Sequence, residues 1–149
     1  MTREKFEPLF WMLPYDQQLK EVLFTCKTIA IIGLSDDPGR DSYMVGSYLK
    51  KAGYRIIPVN PRVPTVLGER SHPTLSEART AVGDIDIVDI FRSKEHIPSI
   101  VEEALDIEAK VIWMQLGLSD GESAQKARDE GMFVVENKCL KIEHMKLRE

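Results

Sequence analysis

The chain has 149 residues, 43% of them hydrophobic and 30% charged, the make-up of one ordinary globular domain. A domain of that length buries about 70% of its unfolded surface, so it needs no metal or disulfide to hold it together. Twenty basic against 24 acidic residues leave a net charge of −4, which argues against a general nucleic-acid binder but permits a small anionic ligand held by a local field.

Residues 1–14 read as an N-terminal arm and 15–149 as the domain. The arm is aromatic around Phe6, Phe10 and Trp11 and is expected to pack on the domain or on a second copy in a homodimer. Glu7, Pro8 and Pro14 interrupt it, so it lacks the unbroken apolar core of an export signal. The longest apolar runs, such as residues 29–32, fall far short of the roughly 20 residues that span a bilayer. Cys26 and Cys139 form no CxxC pair, and reduced thiols in a cytoplasm are the simplest expectation.

Beyond the arm, Asp16 is expected to cap a helix with the stripe Leu19, Val22, Leu23 and Cys26. Residues 28–33 form an apolar run ending in glycine, which suits a strand buried on both faces. A polar loop follows, leading into a helix with Val45, Tyr48, Leu49 and Ala52 on one side and Gly53 at its end. A second strand covers 55–60, with Pro58 a warning about its hydrogen-bond ladder. Thr74 and Glu77 have capping-box spacing, a third strand covers 85–91, and Ile97, Ile100, Val101, Ala104 and Leu105 make a clear helical stripe. A fourth strand at 110–114 precedes a second capping box, Ser119 and Glu122, and a helix ended by Gly131. A fifth strand at 132–135 and a short helix from Leu140 to Leu147 complete the chain. Such alternation specifies an α/β domain with a doubly wound five-stranded parallel sheet, expected in the order 3-2-1-4-5.

In sheets of this kind ligands sit beyond the carboxyl ends of the strands, where the order reverses. After the first strand, Gly33 lets the backbone approach a ligand, Ser35 and Ser42 can bond phosphate oxygens, and Arg40 brings a fixed charge. The G-x-G-x-x-G of dinucleotide sites is missing. After the second strand stands Asn60-Pro61-Arg62 in place of an acidic residue. An arginine there suits a phosphorylated ribose, as in NADP or coenzyme A. Phe91 and Arg92, then Gln115 and Gly117, then Asn137, Lys138 and Cys139 follow the later strands. Arg40, Arg62, Arg92 and Lys138 would thus make a positive crevice in a net negative protein.

The series Ile-Gly-Leu-Ser at 32–35, Pro-x-Arg-x-Ser-Tyr at 38–43, Val-Asn-Pro-Arg at 59–62, Val-Asp-Ile-Phe-Arg at 88–92, Val-Ile-Trp-Met-Gln-Leu-Gly at 111–117 and Lys-Cys-Leu-Lys-Ile-Glu-His at 138–144 resembles the small stand-alone CoA-binding proteins. That family is related to the CoA-binding domain of the succinyl-CoA synthetase α subunit, and the resemblance runs over about residues 16–147. It implies a Rossmann-like domain that binds coenzyme A or an acyl-CoA. Gly33, Leu34, Ser35, Arg40, Ser42, Tyr43 and Val45 would hold the nucleotide and its phosphates. Asn60, Pro61 and Arg62 would border the adenosine, and Phe91, Arg92, Gln115 and Gly117 the pantetheine path, with Asn137, Lys138 and Cys139 nearby. The chain departs from the family at Asp41 and Met44, and at Asn137-Lys138 where Asp-Arg is more usual. A carboxylate at 41 would repel a phosphate.

His72, His96 and His144 form no triad-like arrangement, no metal-ligand spacing occurs, and His144 is expected to pack the last helix. Cys139 reads either as a gap-filling apolar residue or as a reactive thiol for disulfide exchange or acyl transfer. Asp86 and Asp89 fall in the third strand and are expected to bond neighbouring backbone. The combined expectation is a non-catalytic binding or sensor module. An NADP-dependent oxidoreductase or redox sensor, and a ligand-free interaction module, are the alternatives.

Overall fold

The computed structural model describes residues 5–147; the first four residues of the N-terminal arm lie outside the described residues. In chain order the elements are α1 (Pro8–Trp11), α2 (Tyr15–Thr25), β1 (Thr28–Ile32), α3 (Asp41–Lys51), β2 (Arg55–Val59), β3 (Thr65–Val66), β4 (Glu69–Arg70), α4 (Leu75–Val82), β5 (Ile87–Ile90), α5 (Ile97–Asp106), β6 (Val111–Met114), α6 (Gly121–Asp129), β7 (Phe133–Val135) and α7 (Leu140–Lys146). Each of the five expected strands is present, paired in parallel in one sheet. Period-2 alternation divides their side chains between two cores. Ala30, Val88, Ile112 and Val134 pack with α4, α5 and α6 on one face. Ile29, Ile31, Ile87, Trp113 and Val135 pack with α2, α3 and α7 on the other. The arm lies against this second core, Phe10 stacking on Phe6 at 4.2 Å and meeting the ring of Phe133 edge-on at 5.6 Å.

The strand order corrects the expectation. The sheet runs β2-β1-β5-β6-β7, so the second strand is an edge and the third lies on the far side of β1. Pro58 supplies the reason. Val59 faces β1, its carbonyl accepting from the Gly33 N–H at 2.8 Å, so Pro58 and Asn60 face outward. The ring nitrogen of Pro58 has no hydrogen to give an outer strand, and proline is therefore confined to sheet edges. Only a one-residue bridge completes that edge: the His72 N–H donates to the Pro58 carbonyl at 3.0 Å, and the Asn60 N–H to the His72 carbonyl at 2.9 Å. The β3–β4 hairpin, too short to leave a periodic signal, leads the chain to this bridge.

Smaller differences concern helix starts. Helix α2 begins at Tyr15 after Pro14, and Asp16 sits in its first turn without capping it. Thr74 caps α4 by accepting from the Glu77 N–H at 3.1 Å, as expected. Helix α6 is capped one residue later than expected, by Asp120 accepting from the Ser123 N–H.

Gly33 ends β1 at φ +86°, where an added Cβ would lie 2.6 Å from the Phe91 carbonyl oxygen. This contact brings the loop after β1 against the end of β5. Gly33→Ala combines left-handed backbone strain with a clash against main chain, and is expected to cost at least about 2 kcal/mol of stability in urea unfolding.

Candidate functional site

The chain passes from β1 to β2 on one side through α3, then crosses back to β5 on the other side through α4. The loops leaving β1 and β5 therefore diverge to opposite faces and open a crevice between them. Two clefts share this edge, and Asp41 and Phe91 line both.

The first is polar, about 620 Å³, and bordered by Gly33, Ser35, Arg40, Ser42, Asn60 and Arg62. Its loop is stiffened by its own hydrogen bonds. The Ser42 hydroxyl accepts from the Ser35 N–H at 3.0 Å, the Ser35 hydroxyl from the Asp37 N–H at 3.0 Å, and the Asp37 carboxylate from the Gly39 N–H at 2.9 Å. Asn60 ties this loop to the one after β2: its amide donates to the Leu34 carbonyl at 3.0 Å and accepts from the Arg62 N–H at 2.9 Å. Ser35, Ser42 and Asn60 thus hold the cleft's shape. Arg40 and Arg62 are exposed and make no ion pair among the described residues. Arg40 is also the N-cap of α3 and offers no side-chain acceptor to that helix, leaving its first-turn N–H groups open. Asp36 and Asp41 place carboxylates on the same wall.

The second cleft, about 450 Å³, runs between α3 and α7. Met44, Val45, Leu116, Leu118 and Ile142 give it an apolar lining, with Arg92, Gln115, Cys139 and Lys141 at intervals. Both volumes lie in the range of small-molecule sites, about 300–1,000 Å³. Cys139 is the N-cap of α7 and partly buried. Cys26 is buried in the core, where desolvation pushes its thiol up to about 12.

The other expected site residues stand apart from the two clefts. The Leu34 side chain is fully buried, and Tyr43 packs against the core. Pro61 borders a separate small pocket of about 170 Å³ on the other face, which Arg92 also reaches, its guanidinium 3.2 Å from His96 Nε2. The Gly117 N–H donates to Asn137 Oδ1 at 2.7 Å, and the Lys138 carbonyl accepts from the Trp113 indole at 2.8 Å; these contacts brace the rim. Lys141 lines the apolar cleft where Lys138 was expected. Val63, Leu118, Lys141 and Ile142 also line the clefts but were not among the expected site residues; Lys141 and Ile142 stand in the 138–144 motif, and only the packing of α7 against α3 brings them to the cleft.

His144 packs as expected, its Nδ1 2.8 Å from the Tyr48 hydroxyl. Asp86 accepts from the N–H groups of Lys27 at 2.8 Å and Thr28 at 3.1 Å. Asp89 departs from expectation. It bonds a side chain, accepting from Gln115 Nε2 at 2.7 Å, because its register places it beside Trp113, two residues before Gln115 on the same face. Its other oxygen is buried without a partner among the described residues. Burial pushes the Asp89 carboxyl up to about 8, with the Gln115 hydrogen bond pulling the other way. The unfolded chain ionises near pH 4 and the folded protein near pH 8, so this group costs stability progressively as pH rises between those values. Asp89→Asn removes that cost: its stability relative to wild type is expected to climb by a few kcal/mol between pH 4 and 8 in urea titrations and to level off above.

Among the described residues no helix is long and apolar enough to cross a membrane, and no cluster of acidic, histidine or cysteine side chains could hold a metal ion. The family described as CoA binding domain matches residues 27–145. The uncharacterized protein YneT of Bacillus subtilis is 41% identical over 131 residues, 88% of this chain and 95% of that protein. A hypothetical protein from Pyrococcus horikoshii superposes with a TM-score of 0.84 at 33% identity, covering 99% of this chain and 100% of that one. An acetate–CoA ligase (ADP-forming) of Methanocaldococcus jannaschii is 28% identical over 88 residues, which is 59% of this chain and 12% of the ligase. With most of its length inside that match, the chain belongs to the CoA-binding domain family.

Proposed function

We propose that the chain binds coenzyme A or an acyl-CoA across the two adjoining clefts and acts as a binding or sensing module. The observation that carries this reading is the junction at Phe91 and Asp41 of a polar cleft holding two unpaired guanidinium groups with an apolar one. Coenzyme A has the matching division: a phosphorylated nucleotide at one end, a long pantetheine arm and thiol at the other. Arg40, Arg62 and the open first turn of α3 fit the phosphates, since guanidinium groups and helix N-termini both favour anions. Phe91, Met44, Val45 and Ile142 fit the arm. Asp36 and Asp41 oppose the anion and hold down its affinity.

A binding role also agrees with the histidines. His144 is bonded to Tyr48, His96 meets Arg92, and the main chain of His72 closes the sheet edge. The exposed Leu9, Trp11 and Met12 of the arm are the surface we assign to a homodimer.

Coenzyme A at 100 times its dissociation constant is expected to stabilise the protein by about 2.7 kcal/mol, several degrees in a thermal scan. In calorimetry, Arg40→Ala is expected to lose about 1.5–3 kcal/mol of binding free energy, the scale of a charge-assisted hydrogen bond. Unchanged affinity in that variant removes the polar cleft from the phosphate site. Stabilisation by NADPH alone transfers the site to a nicotinamide nucleotide, with Arg62 on its 2′-phosphate.

A further inference from the structure

Asp89 is a carboxyl group sealed within the sheet, and among the described residues the cleft residue Gln115 is its sole hydrogen-bond partner. Its register neighbours are Ile31 of β1 and Trp113 of β6, and it lies on the face covered by α2, α3 and α7. Two residues further along β5 and β6, on the same face, Phe91 and Gln115 reach the apolar cleft. Gln115 is only 4% exposed, and its amide oxygen has no partner among the described residues. A buried carboxyl therefore grips one end of an amide whose other end is offered to the cleft.

Which end is offered depends on a proton. An ionised Asp89 only accepts; it holds Nε2, as in the structure, and leaves Oε1 for the cleft. A neutral Asp89 carries a hydrogen that, on the unpartnered oxygen, would be a buried donor with no acceptor. A half-turn of the Gln115 amide removes that fault without changing its shape: the acid O–H donates to Oε1, and the NH₂ group faces the cleft.

Charged groups on this side do not override the pair. Helix α2 turns Asp16, Lys20 and Glu21 to solvent; α3 contributes Asp41, Tyr43 and Tyr48; α7 contributes Lys141, Glu143 and His144, the last bonded to Tyr48; and the loop after β5 contributes Arg92, with Cys139 ahead of α7. Only burial and Gln115 act appreciably on the titration of Asp89.

We propose that Asp89 is a positioning residue whose proton sets the Gln115 amide to read a carbonyl oxygen in the apolar cleft, so that the protonated protein selects thioesters of coenzyme A. This rests on the coenzyme A reading above. When Asp89 gives its proton to solvent, the amide turns, and its oxygen faces the thioester oxygen as acceptor against acceptor.

The test is calorimetric titration of the full chain with acetyl-CoA and with S-ethyl-CoA, which lacks the carbonyl oxygen and has no thiol to ionise. At pH 6.5 acetyl-CoA is expected to bind about five- to tenfold more tightly, the worth of one neutral hydrogen bond. By pH 9 the preference disappears or reverses. Gln115→Leu abolishes the preference at both pH values, and Asp89→Asn makes it independent of pH. The unaltered protein supplies a second readout without any variant: the side-chain ¹⁵N resonance of Gln115 shifts with the Asp89 carboxyl ¹³C resonance at one midpoint near 8. Binding of both compounds with a constant ratio across pH overturns the role of the pair alone. Binding of neither overturns the coenzyme A reading and this inference with it.

Discussion

The hydrogen that proline lacks decides where this protein has a crevice. Pro58 cannot donate to an outer neighbour, so β2 closes the sheet on that side. The next strand must then cross β1 and pair on its far side. The chain's reversal falls between β1 and β5, and the loops leaving those strands part to opposite faces. Had a third strand paired outside β2, the reversal would fall between β1 and β6's equivalent, and Phe91 would not face the loop after β1.

That crevice is fixed before any ligand arrives. Most polar groups of the loop after β1 are committed to one another: Ser42 holds Ser35, Ser35 holds Asp37, and Asp37 holds Gly39. Asn60 bridges this loop to the one after β2, while Gly33 seats it against the Phe91 carbonyl. A site whose loops are already ordered loses little conformational entropy on binding. The groups that the internal network leaves unused are chiefly Arg40, Arg62 and the first turn of α3, and these are the ones the proposed reading gives to the phosphates. The apolar cleft follows a different logic. There shape and burial act first: Asp41, Arg92 and Lys141 bring charge to its wall, and Gln115 reaches it from a buried hydrogen bond with Asp89.

Much of this was legible in the residues. Strand runs such as 28–33 and helical stripes such as Ile97, Ile100, Val101 and Ala104 carry their periodicity in the chain itself, and all became the elements they suggest. Their alternation implies a parallel sheet, and a parallel sheet places Gly33, Asn60, Phe91 and Gln115 at one edge by construction. Pro58 carried the information that its strand is an edge, but the expected order set it inside the sheet. The candidate site was only partly legible. Ser42 and Asn60 stand in the expected crevice, yet their hydrogen bonds go to the protein.

Local periodicity and chain direction, both written in the residues, settle the elements, the parallel sheet and the edge at which polar and charged groups collect. Tertiary structure decided what each residue does at that edge. Leu34 turns into the core while Arg40 turns out, Pro61 faces a different pocket from Arg62, and Lys141 rather than Lys138 reaches the apolar cleft. Asp89 was visible as an acid in an apolar strand, but its one partner lies 26 residues away on the neighbouring strand. Register alone brings them together, and register is set by packing both faces of the sheet at once.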